Sequence, residues 1–342
     1  MKICSQCILP ETFPGVSFNA DGLCSHCQQF VKRKNRHADL KKEYEQKFLD
    51  LLNHLECCIG NQAGGQAGHR AYDVLMAYSG GKDSTYTMSL LRNKYKLRVL
   101  AMSLDNGFVS PAAVTNINNV TNSLGVDHVF FKPRWDLLKK IFSTAAEREL
   151  YAKKTLERAS TICTSCIGLV KSICLKIAVE QKIPMIGFGW SPGQAPVESS
   201  IMKNNPSLVR MAQQAILNPL REVAGTDVEA YFLKDSHYAD PESFPYNVHP
   251  MAWEFYNEEM IIEEIRKFGW TAPTDTDSNS SNCLLNAYAN DLHMKRYQFH
   301  PYVWEIANMV REGVMTRDEG YDKIYAKQND NLVCAAQERL AL

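Results

Sequence analysis

The sequence has no excess of charge of either sign. Its 342 residues carry 38 Lys and Arg against 38 Asp and Glu, so the formal net charge is zero. Proteins that grip long nucleic acids usually have a basic excess, because the neutralisation of phosphates dominates their affinity. The balance therefore favours a small-molecule substrate over tRNA, although it is compatible with a local basic patch.

The sequence also lacks an uninterrupted run of 18 apolar residues, and its start, MKICSQC, has no apolar segment of the kind found in signal peptides. We therefore expect a soluble cytoplasmic protein that has no membrane partner. There is no internal repeat. The one compositionally biased stretch is rich in Gly, Ala and Gln, and it predicts a linker over residues 59–70.

Predicted strands alternate with predicted helices in the middle of the chain. The apolar stretches that predict strands are Asp73–Tyr78, Leu97–Leu104, His128–Pro133 and Ile183–Trp190. The helical patterns between them are Thr85–Tyr95, Pro111–Leu124 and Cys166–Gln181. Alternation with short connections predicts an α/β fold with a doubly wound parallel sheet.

The pattern divides the chain into four parts. We expect a cysteine-bearing module at 1–32, a helix and linker at 33–70, a nucleotide-binding α/β domain at 71–250 and a helical C-terminal segment at 251–342. The helices predicted for the last segment are Trp253–Phe268, Leu284–Tyr297, Pro301–Glu312 and Arg317–Lys327.

A glycine-rich turn follows the first predicted strand and opens the first helix. Its residues are Ser79, Gly80, Gly81, Lys82, Asp83 and Ser84. Glycines let the backbone approach an anion, while unpaired amides, two hydroxyls and a lysine supply positive charge and donors at the helix N-terminus. The spacing differs from that of the Walker loop. The turn therefore predicts a phosphate-binding site.

Ser-Gly-Gly-Lys-Asp-Ser resembles the motif of the PP-loop ATP pyrophosphatases, which implies a PP-loop, HUP-like fold. Members of that superfamily cleave ATP into pyrophosphate and AMP, leaving the AMP on a substrate oxygen. The resemblance implies that Ser79–Ser84 hold the pyrophosphate and that Asp83 helps to bind Mg²⁺. It also implies that Ser103–Phe108 lies near the adenosine, so Asp105 could bind ribose, base or metal. A plain turn or helix-capping role for Asp105 fits its position equally well.

The chain has 11 cysteines, and their spacing favours metal or thiolate chemistry over disulfides. Cys4, Cys7, Cys24 and Cys27 form two C-x₂-C pairs in a segment too short to fold on its own core. Four thiolates at this spacing predict a structural Zn²⁺ site in a zinc-ribbon-like module, because metal binding supplies the missing folding free energy.

A second group comprises Cys163, Cys166 and the distant Cys283. Three cysteines could hold a [4Fe–4S] cluster with one iron left open, since such clusters favour thiolate ligands. The arrangement resembles that of the PP-loop enzymes that thiolate tRNA. A persulfide-carrying or redox pair, a second zinc site and plain buried cysteines are the alternatives. The polar loop Asp275–Asn282 just before Cys283 predicts an active-site lid.

The N-terminal stretch Cys4–Cys27, the PP-loop and the segment Arg296–Gly320 together resemble the N-acetyl sugar amidotransferase family. This resemblance implies transfer of nitrogen to a small, carbohydrate substrate used in surface polysaccharides, with ammonia supplied by a glutaminase partner. The cysteine trio departs from that family and favours sulfur insertion, with a sulfur-donor protein as partner. The sequence thus predicts an ATP-dependent adenylating amidotransferase, with a [4Fe–4S]-dependent sulfurtransferase acting on a small molecule or tRNA as the alternative. A non-catalytic ATP-binding zinc protein is a third hypothesis, and the sequence leaves the oligomeric state open.

Overall fold

The computed structural model describes residues 1–31, 34–61, 70–277, 280–326 and 329–342, with the backbone alone at 34–38 and 56–61. Most of the linker predicted for 59–70 therefore lies outside the described residues, as do two residues of the loop before Cys283 and Lys327 at the end of a predicted helix. The four-part division of the chain stays a prediction.

The α-helices of the described chain are α1 (Ser25–Val31), α2 (Lys34–Asn61), α3 (Lys82–Ser89), α4 (Pro111–Leu124), α5 (Trp135–Glu147), α6 (Thr161–Glu180), α7 (Pro206–Ala224), α8 (Glu258–Arg266), α9 (Asn286–Tyr297), α10 (Val303–Arg311), α11 (Arg317–Tyr325) and α12 (Asp330–Leu340). A π-helical turn, Leu90–Lys94, continues α3. Short 3₁₀ turns lie at Thr155–Glu157, Val197–Ser199, Thr226–Tyr231, Asp235–Ala239, Pro241–Ser243 and Pro250–Ala252.

The strands are β1 (Val74–Ala77), β2 (Val99–Leu104), β3 (Asp127–Phe131), β4 (Met185–Phe188), β5 (Ile201–Lys203) and β6 (Tyr246–Val248). They form one sheet in the order β3-β2-β1-β4-β6-β5. All neighbours pair in parallel except β5, which is antiparallel to β6 at the edge. The predicted doubly wound α/β fold is therefore confirmed, with one antiparallel strand added.

Local sequence explains the sharp ends of the helices between strands. In α4, the Ser110 hydroxyl accepts a hydrogen bond from the Ala113 amide at 3.0 Å, and Pro111 occupies the first helical position. The same helix ends at Gly125, which adopts a left-handed φ of 59°. These signals place the predicted helix Pro111–Leu124 at its observed bounds.

The sheet is covered on both faces, as a parallel sheet requires. One face packs against α5, α6, α9 and α12, and the other against α2, α3, α4 and α8. Helix α6 is long and apolar enough to cross a membrane by length and composition, but about 61% of its most apolar stretch is buried inside the fold. It contacts the strands β1 and β4 and the helices α5, α7 and α9, so its apolar character is that of a core helix.

The N-terminal module packs against the helical C-terminal segment. Ile8, Leu9 and Phe13 share a buried cluster with α10 and α11. Phe13 stacks on Trp304 with ring centroids 5.4 Å apart. The cysteine module thus has no separate core and uses the apolar faces of the last helices instead.

Several elements differ from the sequence prediction. The three-residue strands β5 and β6 were not predicted, because so few residues carry no alternation, and α7 and α12 were also missed. Helix α7 contains Pro219 and exposes Leu208 and Met211, which obscures its amphipathic pattern. The helix predicted from Trp253 begins only at Glu258, where the Asn257 side chain caps it.

A close backbone approach joins the end of β4 to the start of α3. A β-carbon at Gly189 would lie 2.4 Å from Ser84 Cα and 2.6 Å from Ser84 N. We expect Gly189→Ala to lower the free energy of unfolding by about 3 kcal/mol or more, because neither backbone can yield without displacing strand or helix. Urea denaturation measures this loss. Gly125→Ala is the matched control, since it meets no atom within 4 Å and costs only about 1–2 kcal/mol for its left-handed backbone. Equal losses in the two variants would contradict the close packing.

Candidate functional site

The glycine-rich turn lies where β1 ends and α3 begins. Gly80 has φ +78°, and a β-carbon there would lie 2.8 Å from Ile117 Cγ1 and 3.0 Å from the Ala113 carbonyl oxygen. Glycine is therefore required both by its dihedral angle and by the neighbouring helix. The carbonyl of Gly80 also accepts a hydrogen bond from the buried indole of Trp270 at 2.9 Å. These contacts hold the turn in one shape.

Hydrogen bonds from hydroxyl groups of the turn stabilise its conformation. Ser79 Oγ and Ser84 Oγ lie 3.0 Å apart, and the Gly81 amide donates to Ser79 Oγ at 3.3 Å. The hydroxyls of Ser84 and Thr85 both donate to the Gly81 carbonyl. Gly81, the residue before α3, makes no side-chain cap. The helix N-terminus therefore presents amides that an anion can bind.

Lys82 is held by a group from its own helix, by Tyr256 just before α8 and by the start of α8. Its ammonium donates to Asp83 Oδ1 at 2.8 Å and to the Tyr256 hydroxyl at 2.6 Å, and Glu258 Oε2 lies 3.7 Å away. Tyr256 in turn donates to Asp83 at 3.2 Å. Burial and the nearby Asp83 raise the pKa of Tyr256, so this phenol stays protonated. The structure thus brings Lys82 and Asp83 together at the mouth of α3.

Asp105 follows β2, as predicted, and has a turn role in the structure. Its Oδ1 accepts a hydrogen bond from the Gly107 amide at 2.9 Å, and its Oδ2 lies 3.0 Å from Lys132 Nζ. The next residue, Asn106, is buried. Neither contact tests the proposed binding of ribose, base or metal by Asp105.

Two cysteines of the second group, Cys166 and Cys283, contact one side chain, and Cys163 lies about one helical turn before Cys166 on α6. The Asn106 amide nitrogen lies 3.5 Å from Cys166 Sγ and 3.7 Å from Cys283 Sγ. Cys163 and Cys166 lie in the first turns of α6, which begins at Thr161, earlier than the helix predicted from Cys166. The reason is Ser160, whose hydroxyl caps α6 through the Cys163 amide at 3.1 Å and so starts the helix before the pair. At a spacing of three, both thiols project from one face of α6.

The loop before Cys283 connects this cysteine group to the glycine-rich turn. Ser281 Oγ accepts a hydrogen bond from the Lys82 amide at 3.3 Å, and the Asn282 carbonyl accepts from Ser110 at 2.9 Å. Val109 and Cys283 form an isolated antiparallel bridge. One short segment therefore contacts both the turn and the cysteine group, as the lid interpretation requires; movement of the segment is untested.

Burial sets the protonation of these thiols. It raises the pKa of Cys163 and of Cys166 to about 12, and it also raises the pKa of Cys283. The neighbouring Cys283 adds to the shift at both of the other thiols. Without a cation beside them the thiols stay protonated, which disfavours a free reactive thiolate at neutral pH.

The four N-terminal cysteines form a compact tetrad. All four are fully buried, and their sulfur atoms lie within 4.8 Å of one another. Cys4 and Cys27 are 3.7 Å apart, as are Cys7 and Cys24. Thiolates about 2.3 Å from a tetrahedral Zn²⁺ would be about 3.8 Å apart, so the donor set fits that ion.

A buried guanidinium, that of Arg311, contacts the tetrad. Arg311 on α10 donates to Cys7 Sγ at 3.2 Å and to the Asn308 side-chain oxygen. In the described part of the chain, no carboxylate pairs with Arg311. A buried cation needs a negative partner, and four thiolates around one Zn²⁺ carry two negative charges. The setting of Arg311 therefore fits a metal-bound, deprotonated tetrad.

A half-buried glutamate that the sequence did not single out lies near the turn. Glu305 Oε1 on α10 accepts a hydrogen bond from Ser191 Oγ at 2.6 Å, beyond the end of β4. Burial raises the pKa of Glu305 to about 7, with a contribution from the charge of Asp83. Tyr256 and Asn106 were missed in the same way. All three are common residue types without motif spacing, and only the fold brings them to the site.

A cavity of about 780 Å³ opens beside the cysteine group. It lies between α6, α7, the segment after β4 and the start of α10, and its lining includes Cys163 and Glu305. Tyr302 also lines it and accepts a hydrogen bond from Asn286 at 2.8 Å. Its size is that of a small-molecule pocket.

The raised pKa of Glu305 predicts a pH-dependent difference between the wild type and Glu305→Gln. The native carboxyl binds a proton up to about pH 7, whereas the unfolded one loses it near its ordinary value of 4.5. Native protein therefore binds more protons across this window, and wild-type stability falls as pH rises through it. Relative to the wild type, the free energy of unfolding of Glu305→Gln should rise between pH 5 and pH 8, as measured by urea denaturation. A difference that stays constant with pH would contradict the shift.

No protein-family model matches the chain. An uncharacterized protein of Methanocaldococcus jannaschii is 21% identical over 317 residues, covering 92% of this chain and 90% of that protein. Among solved structures, the U34-tRNA thiolase from Methanococcus maripaludis with its [4Fe–4S] cluster is 15% identical with a TM-score of 0.38, covering 100% of this chain and 89% of that chain. The NMN synthetase from Francisella tularensis is 13% identical with a TM-score of 0.40, covering 88% of this chain and 96% of that chain. Similarity at this level supports no conclusion about what this chain binds or catalyses.

Proposed function

We propose that this protein is an ATP-dependent enzyme that adenylates a substrate oxygen and then replaces that oxygen with sulfur. The observation that carries the proposal is that Cys166 and Cys283 both lie at the Asn106 amide, about one helical turn from Cys163, while Ser281 in the segment before Cys283 accepts a hydrogen bond from Lys82 in the glycine-rich turn.

The first half of the proposed reaction takes place at the glycine-rich turn. The substrate oxygen attacks the α-phosphorus of ATP, the bond from that phosphorus to the bridging oxygen breaks, and pyrophosphate leaves with the electron pair. Amides at the start of α3 and the ammonium of Lys82 stabilise the charge that develops on the phosphates. Asp83, which touches Lys82, is the carboxylate available for Mg²⁺.

The second half needs sulfur. Sulfide attacks the adenylated carbon, and AMP leaves with the original oxygen, so the substrate exchanges one oxygen for one sulfur. Cys163, Cys166 and Cys283 fit a [4Fe–4S] cluster because all three donors are thiols, and because Asn106 directs its N–H group toward two of the sulfurs. When bound, such a cluster would supply one iron without a protein ligand, at which inorganic sulfide can be kept. A sulfur-donor protein is then the expected partner.

Transfer of nitrogen is the second candidate. It is favoured by the resemblance of Cys4–Cys27 to the sugar amidotransferases, and the compact sulfur tetrad supports the metal-site part of that resemblance. The first half-reaction is the same, and ammonia from a glutaminase would replace sulfide. Nitrogen transfer gives the second cysteine group no role, which is why we place it behind sulfur transfer.

Zinc has a structural role in this proposal. The tetrad has four donors and no open position, and Arg311 fits a closed, negatively charged site. Two backbone carbonyls of the same module, those of Cys4 and Cys7, accept hydrogen bonds from Arg317. Zn²⁺ would therefore fix the module against α10 and α11.

Lys82→Ala tests the ATP half of the proposal. We expect the formation of pyrophosphate from ATP to fall by about 10²–10³, because one positive charge at the developing phosphate anion is lost. Pyrophosphate release is measured with the purified protein and circular dichroism checks the fold. Lys140→Ala is the matched control, since Lys140 is exposed on α5, away from the site. Full activity in Lys82→Ala would refute the assignment of the turn.

Metal analysis of anaerobically purified protein tests the sulfur half. We expect brown protein with about four iron atoms and about one zinc atom per chain. Serine at Cys163, Cys166 or Cys283 should remove most of the iron and the colour while the zinc remains. Cys334→Ser is the control, because Cys334 is exposed on α12. A colourless wild type that holds zinc alone would contradict sulfur transfer and favour the amidotransferase.

A further inference from the structure

The cavity beside the cysteine group contains two cations that lie over aromatic rings. Lys171 Nζ on α6 is 4.8 Å from the centroid of Trp190, and Arg158 Cζ is 5.3 Å from the centroid of Trp304. Both side chains line the cavity and are exposed to it. In the described part of the chain, no carboxylate pairs with either cation. Glu305, the acidic residue in the lining, is hydrogen-bonded to Ser191 instead.

The same cavity has polar atoms without partners. Thr164 Oγ1, Asn290 Oδ1 and Gln213 Nε2 are buried, line the cavity and make no hydrogen bond. Buried polar atoms in folded proteins are nearly always hydrogen-bonded, so these three side chains give the cavity wall unmet hydrogen-bonding capacity. Gln213 Oε1 is by contrast engaged by the Leu233 amide at 3.2 Å, which fixes the side chain and leaves its amide nitrogen free to donate.

A second aromatic contact holds the indole of Trp190 in place. It stacks on His249 with centroids 4.1 Å apart and an interplanar angle of 12°. Trp304 is fixed likewise, by the stacked Phe13 and the edge of His26. Each cation therefore lies over an aromatic ring that other side chains hold in place.

We propose that this cavity binds the acceptor substrate, and that the acceptor is a small molecule with an anionic group held by Lys171 and Arg158. The identification as acceptor rests on the proposed function, since Cys163 and Glu305 line the same cavity. Two unpaired cations select a negative charge. A volume of about 780 Å³ holds a molecule of nucleotide or sugar-phosphate size.

A pair of fluorescent probes tests this anion selectivity without knowledge of the natural acceptor. 8-Anilinonaphthalene-1-sulfonate and N-phenyl-1-naphthylamine share one ring skeleton, and only the first carries a sulfonate. Binding is followed by energy transfer from tryptophan to the probe. We expect Lys171→Gln and Arg158→Gln each to weaken the binding of the sulfonate probe about tenfold, because each loses one charged contact, and to leave binding of the neutral probe within about twofold.

Three controls make the result specific. Lys171→Arg keeps the charge and should keep the affinity, which also covers the case that Lys171→Gln fails to fold. Lys140→Gln removes an equal charge outside the cavity and should have no effect. Lys82→Ala should bind the sulfonate probe as the wild type does, so a failure of the proposed ATP chemistry can be told apart from a failure of this site.

Two results would overturn the proposal. Equal effects of the cavity variants on both probes would show that the cations do not select an anion. Displacement of the sulfonate probe by tRNA, from the wild type and from Lys82→Ala alike, would make the occupant a macromolecule. Retention of the probe in the presence of tRNA supports a small acceptor.

Discussion

The geometry of the proposed active site depends on the close approach of backbone segments at the ends of β1 and β4. Gly80 lies against Ala113 and Ile117, and Gly189 lies against Ser84. With side chains at these positions, α3 could not start directly behind the sheet. From β1 the chain continues to β2 on one side of the sheet, and it later returns to form β4 on the other side of β1. The connections that leave β1 and β4 therefore diverge, and a crevice forms at the carboxyl ends of these two strands. Such a crevice is where doubly wound sheets bind ligands, and here it is lined by the N-terminus of α3.

A single segment contacts the glycine-rich turn and supplies Cys283 to the cysteine group. Residues 280–283 lie far along the chain from the glycine-rich turn, yet Ser281 accepts from the Lys82 amide, and Cys283 reaches the pair on α6. An active site that first adenylates and then delivers sulfur needs both centres near one substrate atom. The intermediate is reactive, and proximity replaces a second encounter with an effectively intramolecular step.

The parts that sequence could predict are those with a local physical signal. The Ser79–Ser84 turn, the four core strands and the two C-x₂-C pairs all depend on neighbours within a few residues. Cys283 was assigned to the trio by residue type, and its convergence with Cys163 and Cys166 is a tertiary fact. Glu305 could not be found, because nothing in its surroundings along the chain distinguishes it. Asn106 lies in the stretch predicted near the adenosine, but its contact with Cys166 and Cys283 comes only from the fold. Strands β5 and β6 pair only with each other and with β4, so their stability comes from the sheet and leaves no local pattern.

The N-terminal module packs on α10, and this helix connects the module to the cavity. That helix carries Arg311 at the sulfur tetrad, and, about two turns earlier, Trp304 and Glu305 at the cavity. Phe13 and His26 of the module pack directly on Trp304. A metal ion in the tetrad would therefore stiffen one wall of the cavity without contacting the substrate. Loss of that ion would free the module, remove the charge partner of a buried guanidinium and loosen the helix that positions Glu305. This gives a physical reason for a four-cysteine module in a chain whose net charge is zero: the module supports the geometry of the proposed site and need not bind nucleic acid.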